Sequence, residues 1–161
     1  ADSAEKAQAR HPALTFTPGA DFKSAVPEAD IVCTVTASPT PILEHAWLPR
    51  GVHVNVVGSS IPTMREVDDE FVLKTAIWVD YLKSTLAQAG EIVDLIAAGR
   101  FSVDRLRGEI GRVLAGDLPG RETPAQQTAY RSLGVAAQDL AAAHHVYEKA
   151  RREGVGQTAS L

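Results

Sequence analysis

The sequence predicts an α/β protein: part of a doubly wound parallel sheet with a long C-terminal helix. Two observations predict it. Apolar, β-branched runs recur at "DIVCTVTA" (30–37), "VHVNVVG" (52–58) and "IWVDY" (77–81). Such short continuous runs suit strands of a covered parallel sheet. Strand and helix alternate with short connections, the pattern of βαβ units.

The elements follow in order. "ADSAEKAQAR" (1–10) is polar and rich in helix formers. "ALTFT" (13–17) alternates and reads as a short strand, and "GADFKSAVPEA" (19–29) as a turn and a short helix. The run 30–37 lies between acids and Ser-Pro and reads as a buried strand. Within it Cys33, the sole cysteine, reads as a small buried hydrophobe. "PILEHAWLPRG" (41–51) is a short helical segment stopped by Pro49 and Gly51. After the second strand, "REVDDEFVLKTA" (65–76) has acids in its first turns and Lys74 near its end, as the helix dipole favours. Its acidic stretch "VDDE" (67–70) reads as a helix start and a solvated face. The third strand, 77–81, leads into "LKSTLAQAGEIVDLIAAG" (82–99), one or two helices ended by Gly99. "VDRLRGEIGRVLAG" (103–116) is helical in part and "DLPGRETPAQQ" (117–127) is a loop.

In the last helix Leu133, Ala136 or Ala137, Leu140, His144, Tyr147 and Ala150 or Arg151 recur at spacings of three and four. They form one apolar stripe among alanines, suited to close packing on a sheet or helix. Ser132 stands where it can cap that helix. "ARREGVGQTASL" (150–161) ends it and becomes a polar tail, so the chain divides into a domain at 1–152 and a tail at 153–161.

Composition narrows the function. The 161 residues suffice for one domain with a sizeable core, and the net charge of −4 without a basic block argues against a polyanionic partner. A single cysteine permits neither an internal disulfide nor a thiolate cluster. The histidines, His11, His45, His53, His144 and His145, lack a metal-binding spacing and read as surface or packing residues, so no metal site is expected. No stretch reaches the roughly 20 apolar residues that cross a bilayer. The start lacks a signal-peptide pattern, and the expected location is cytoplasmic.

Chemistry is expected where strands end, because open parallel sheets bind ligands beyond their carboxyl ends. The first strong strand ends in Thr34-Val35-Thr36-Ala37-Ser38 and the second in Gly58-Ser59-Ser60. Hydroxyls can hold a ribose or carboxamide, and glycine lets a flat ring approach the backbone. The same residue types also populate ordinary loops, so both readings stand at this point. Neither G-x-G-x-x-G, nor a phosphate-binding G-x-x-x-x-G-K-[ST], nor G-x-S-x-G occurs. "GRETPAQQTAYRSLG" (120–134) delivers Thr128, Arg131, Ser132 and Gly134 to the entry of the last helix. The chain opens on a polar helix rather than a central strand, so the first strands of the sheet are expected upstream of Ala1.

"ADIVCTVTASPTPIL", "GVHVNVVGSSIPTMREVDDEFV", "WVDY" and "PGRETPAQQTAYRSLGVAAQDLAAA" occur in this order. Together they resemble the ornithine cyclodeaminase/mu-crystallin family, from about Ala29 to Tyr147. The resemblance implies a Rossmann domain that binds NAD or NADP, and a homodimer formed by an N-terminal domain outside this chain. It places the glycine-rich turn and the substrate-binding basic residues upstream. It puts Thr34, Val35 and Thr36 on the adenosine or ribose side of the cofactor. Val57, Gly58 and Ser59 come near the nicotinamide, as do Ser132, Leu133 and Gly134, with Asp80 ending a strand beside the same cleft. Ornithine cyclodeaminases resemble "VGxDxPGK" where this chain has "VGSSIPTM", so the aspartate falls on Ser60 and the lysine on Met64. A serine cannot act unaided as that base. The resemblance therefore implies an oxidoreductase acting on an amino or imino (ketimine) acid, with Ser60 as the candidate catalytic residue. Ammonia-releasing cyclisation of ornithine and a non-catalytic, NADPH-binding crystallin-like role are the alternatives. Without the glycine-rich turn, the 161 residues alone are expected to bind the cofactor weakly and to be inactive.

Overall fold

The structure is a computed structural model and describes residues 2–19, 21–157 and 159. In chain order the elements are α1 (Asp2–Arg10), α2 (Phe22–Ala25), β1 (Ile31–Thr34), β2 (His53–Val56), α3 (Asp69–Lys74), β3 (Ala76–Val79), α4 (Leu82–Gln88), α5 (Gly90–Ala97), α6 (Ile110–Leu114), β4 (Thr128–Arg131) and α7 (Ala136–Glu153). Short 3-10 turns lie at Val26–Glu28, His45–Trp47 and Val103–Arg105.

The four strands form one parallel sheet in the order β1-β2-β4-β3. Thr34, Val56, Arg131 and Val79 share its last row. All three strands expected from the β-branched runs are present. The fourth was not expected: "TAYR" reads as polar, because Thr128 and Arg131 look like loop residues. Both are buried, at 3% and 2% exposure. Arg121 anchors the preceding loop, donating to the carbonyls of Gly51 and Gln126 and to Thr128 Oγ1. That loop hands β4 into the slot between β2 and β3.

One face of the sheet carries Val32, Val54, Val56, Ala129, Ile77 and Val79, all buried. Phe71 and Val72 of α3 and Ile92 of α5 pack on it. The opposite face is open beside β1, where Ile31 and Val35 are 64% and 70% exposed. Cys33 lies on that open face and is exposed, which corrects its expected burial. The strand alternates buried and exposed residues because the packed helices cover only one of its sides here. The two sheet edges also differ. Along β3, Arg107 N–H donates to Ile77 O and Val79 N–H to Gly108 O, so a chain segment closes that edge. β1 is the other edge, and no described strand pairs beyond it.

Residues 13–17 form no strand. The side chain of Gln8 takes the place of a neighbouring strand, donating to Leu14 O at 2.6 Å and accepting from Phe16 N–H at 3.1 Å. The segment 65–68 is extended rather than helical, bridging Val67 to Leu43, and α3 begins only after its cap, Asp68. Asp68 accepts from Phe71 N–H and also from His45 N–H, each at 3.0 Å. Residues 82–99 are two helices broken at Ala89, with Gly99 at φ +68° ending the second. The break seats Gly90 where a Cβ would lie 2.2 Å from Pro62 O.

The last helix starts three residues later than expected for a helix containing Leu133. Its N-cap is Val135, so Ser132 is not the cap. Ser132 instead continues β4, donating its N–H to Val56 O at 3.0 Å. No residue of α7 is buried, and the stripe residues Leu140 and Tyr147 are 72% and 58% exposed. Among the described residues no helix is long and apolar enough to cross a membrane.

Candidate functional site

The strand order brings four chain ends side by side at the carboxyl edge of the sheet: 34–37 after β1, 57–60 after β2, 132–134 after β4, and Asp80-Tyr81 after β3. Three polar groups clasp them in pairs.

Glu66 clasps the first pair. It is fully buried and lies on the extended segment before α3. Its Oε1 accepts from Thr36 N–H and from Thr36 Oγ1 at 2.8 Å; its Oε2 accepts from Thr34 Oγ1 and Gly58 N–H, each at 2.8 Å. Burial raises the pKa of this carboxyl, but the hydrogen bonds from Thr36, Thr34 and Gly58 outweigh it and hold the group below its ordinary range. Gly58 is obligatory in this packing. A Cβ there would lie 2.1 Å from both the N and O of Thr36 and 2.5 Å from Glu66 Oε1. The space glycine leaves is thus filled by the neighbouring loop and the carboxylate.

Arg131 clasps the middle pair. Its Nε donates to Glu91 Oε1 at 2.6 Å, and both side chains are 2% exposed. Nη1 donates to Val56 O at 3.3 Å and Ser132 O at 3.0 Å, and Nη2 to Ser59 O. One guanidinium therefore holds carbonyls beyond β2 and beyond β4. A buried ion pair needs such additional bonds to offset its desolvation.

Asp80 clasps the last pair. Its Oδ2 accepts from Leu133 N–H and Gly134 N–H, each at 2.7 Å, and from Ser132 Oγ at 3.3 Å. Its Oδ1 accepts from Tyr81 N–H at 2.7 Å.

The expected site residues all lie in this row, in three classes of exposure. Thr34, Ser59 and Ser132 are buried. Val35 and Val57 are 70% and 42% exposed, and Thr36, Ser60 and Gly134 are exposed as well. Gly58 and Leu133 are half-buried. The hydroxyl protons of Thr34 and Thr36 go to Glu66, which leaves only lone pairs for another partner. Ser59 Oγ is buried without a hydrogen-bond partner, as is Glu91 Oε2. Glu66 and Glu91 were not singled out in the sequence. Both sit among residues of helical or acidic character, and only the three-dimensional contacts mark them. Of the histidines, read from the sequence as surface or packing residues, His45 has its ring 3.0 Å from Gln127 and His53 meets Thr128 at 2.8 Å.

Comparison with known proteins gives a consistent result. The model of the ornithine cyclodeaminase/mu-crystallin family matches residues 4–154. The chain is 35% identical over 137 residues to a Delta(1)-pyrroline-2-carboxylate reductase of Bacillus cereus, covering 84% of this chain and 42% of that protein. It is 36% identical over 126 residues to the ketimine reductase mu-crystallin of Mus musculus, covering 78% of this chain and 37% of that protein. Thermococcus litoralis Delta(1)-pyrroline-2-carboxylate reductase, solved in complex with NADH and L-proline, superposes with a TM-score of 0.89 at 28% identity. That match covers 98% of this chain and 49% of the other. The chain spans less than half the length of each of these relatives.

Proposed function

The chain belongs to the ornithine cyclodeaminase/mu-crystallin family, and from that premise we propose that it is the dinucleotide-binding part of an oxidoreductase acting on ketimine or amino acids. The observation that carries this reading is the clasped row of strand ends, in a chain that superposes on a reductase solved with NADH and L-proline.

The residues present suit part of a dinucleotide. Val35 and Val57 expose apolar surface at the ends of neighbouring strands, which suits the flat face of a ring. No glycine-rich turn is present among the 161 residues, so they offer the pyrophosphate no helix N-terminus of that kind. In this reading Val35 and Thr36 line the ribose side. Val57, Gly58 and Ser59 face the nicotinamide from β2, and Ser132, Leu133 and Gly134 from β4, with Thr34 supporting them through Glu66. NAD or NADP, when bound, supplies or accepts the hydride. Ser60 is exposed at the end of the row and would hold a water that relays a proton to the imine. The serine where cyclodeaminases resemble an aspartate favours reduction over ornithine cyclisation. The working assembly in this reading is a cytoplasmic homodimer, its dimer-forming domain supplied by residues beyond these 161.

The test is NADH and NADPH oxidation by the natural full-length polypeptide, with Delta(1)-pyrroline-2-carboxylate and other cyclic ketimine acids as substrates. Turnover on at least one of them is expected. Cofactor binding without turnover on any would favour the crystallin-like binder, and ammonia release from ornithine would favour the cyclodeaminase.

A further inference from the structure

We propose that Asp80 is a positioning residue that sets the conformation of residues 132–134, and that it thereby fixes the nicotinamide end of the dinucleotide site. The inference rests on the proposed function for its ligand, and on geometry for everything else.

The β4–α7 connection has two restraints. Arg131 takes the carbonyl of Ser132, while Ser132 N–H is spent on Val56 O. Beyond that point the ladder stops, and the peptide N–H groups of Leu133 and Gly134 both turn to one oxygen of Asp80 at 2.7 Å. Gly134 adopts φ +89°, a conformation that lets consecutive N–H groups converge on one anion. No helix turn or side-chain cap holds this loop, because α7 begins at Ala136 with Val135 as an uncapped N-terminus. Asp80 is itself held, its N–H bonding Arg131 O at 3.2 Å and its second oxygen accepting from Tyr81 N–H. The loop is thus fixed from β3, a strand that contributes no other residue to the row proposed to bind the ligand. Because the carboxylate uses the Leu133 and Gly134 N–H groups, those two amides are not free to bind ligand. What the loop offers there are carbonyls, the glycine Cα and the Leu133 side chain.

The experiment compares wild type, Asp80→Ala and Asp80→Asn by two readouts. The first is amide hydrogen exchange, which needs no ligand. In Asp80→Ala the Leu133 and Gly134 amides should exchange about tenfold faster or more, from the loss of bonds to a charged acceptor. Amides of β1 and β2 should keep their rates. Asp80→Asn retains one acceptor oxygen and should fall between; it also serves if the alanine variant does not fold. The second readout is the affinity of the natural full-length polypeptide for NADH and NADPH. It should weaken about tenfold in Asp80→Ala, while the KM for the imino acid, measured at saturating cofactor, changes by less. Unchanged exchange at 133 and 134 overturns the proposal. So does unchanged dinucleotide affinity in a variant whose loop exchange has risen. A wild-type protein that binds neither dinucleotide overturns the proposed function and the ligand half of this inference, while the exchange comparison still decides whether Asp80 holds the loop.

Discussion

Both donors of Thr36, its peptide N–H and its hydroxyl, converge on a single oxygen of Glu66. The other oxygen serves Thr34 and Gly58. Glu66→Gln keeps the volume but sets an NH2 group against two donors, a peptide N–H and a hydroxyl. The hydroxyl can turn to accept, but the N–H loses this acceptor, at a cost of about 1–3 kcal/mol. Urea unfolding should show that loss; a change under about 0.5 kcal/mol would mean the loops do not depend on this carboxylate.

The same group makes stability depend on acid. The folded-state pKa of Glu66 lies below its unfolded value. Its contribution is therefore complete above about pH 4.3 and is lost as pH falls through the folded value. His53 adds to the trend at higher pH. Burial, with Arg121 nearby, lowers its pKa against an opposing hydrogen bond with Asn55. Protonation of the unfolded chain thus erodes stability as pH falls below about 6.5. Unfolding midpoints measured from pH 7 to pH 3 should fall in two stages, with Glu66→Gln flattening the lower one.

Arg131 and Glu91 should be far more sensitive singly than together. Removing either partner leaves a buried charge uncompensated, so Arg131→Met or Glu91→Met should cost about 3–5 kcal/mol. The double variant should recover part of that loss, although the carbonyls of Val56, Ser59 and Ser132 still lose a donor. A negligible loss in Glu91→Met, with the double variant matching Arg131→Met, would show that Arg131 acts through those carbonyls alone.

Two glycines offer an opposed pair of tests. Gly58→Ala drives a Cβ into the Thr36 backbone, so the variant should be recovered poorly or unfold well below wild type. Gly111 lies inside α6 with open space around it, so Gly111→Ala should stabilise by about 0.5–1 kcal/mol. A Gly58→Ala midpoint that does not fall would contradict the packing described around Gly58.

Ser60 is exposed, so Ser60→Ala should leave stability unchanged. Turnover should fall by about tenfold or more if the hydroxyl orients the proton-relaying water, while dinucleotide affinity holds. Unchanged turnover removes Ser60 from the mechanism.

How far the sequence could be read follows from what each residue does. The β-branched runs announce β1, β2 and β3 because their burial needs no partner beyond other apolar groups. β4 is hidden because it is held by polar chemistry: Thr128 meets Arg121 and His53, and Arg131 meets Glu91. The row of loop residues was legible as Ser, Thr and Gly at strand ends. The carboxylates that fix it were not, since Glu66 falls among the acids read as the first turns of a helix over 65–76. Its burial depends on Thr34, 32 positions away, a pairing no local pattern encodes. The strand expected at 13–17 failed for the converse reason. Alternation supplies a face to bury, but a strand also needs a neighbour for its peptide groups, and there Gln8 supplies the bonds instead.

The unlike edges of the sheet give it one direction of growth. An unpaired strand edge is a template for a further strand. The β3 edge is closed by the segment around Gly108, and among the described residues β1 keeps its outer peptide groups unpaired by any strand. Any further strand of the same sheet is therefore expected to join beside β1.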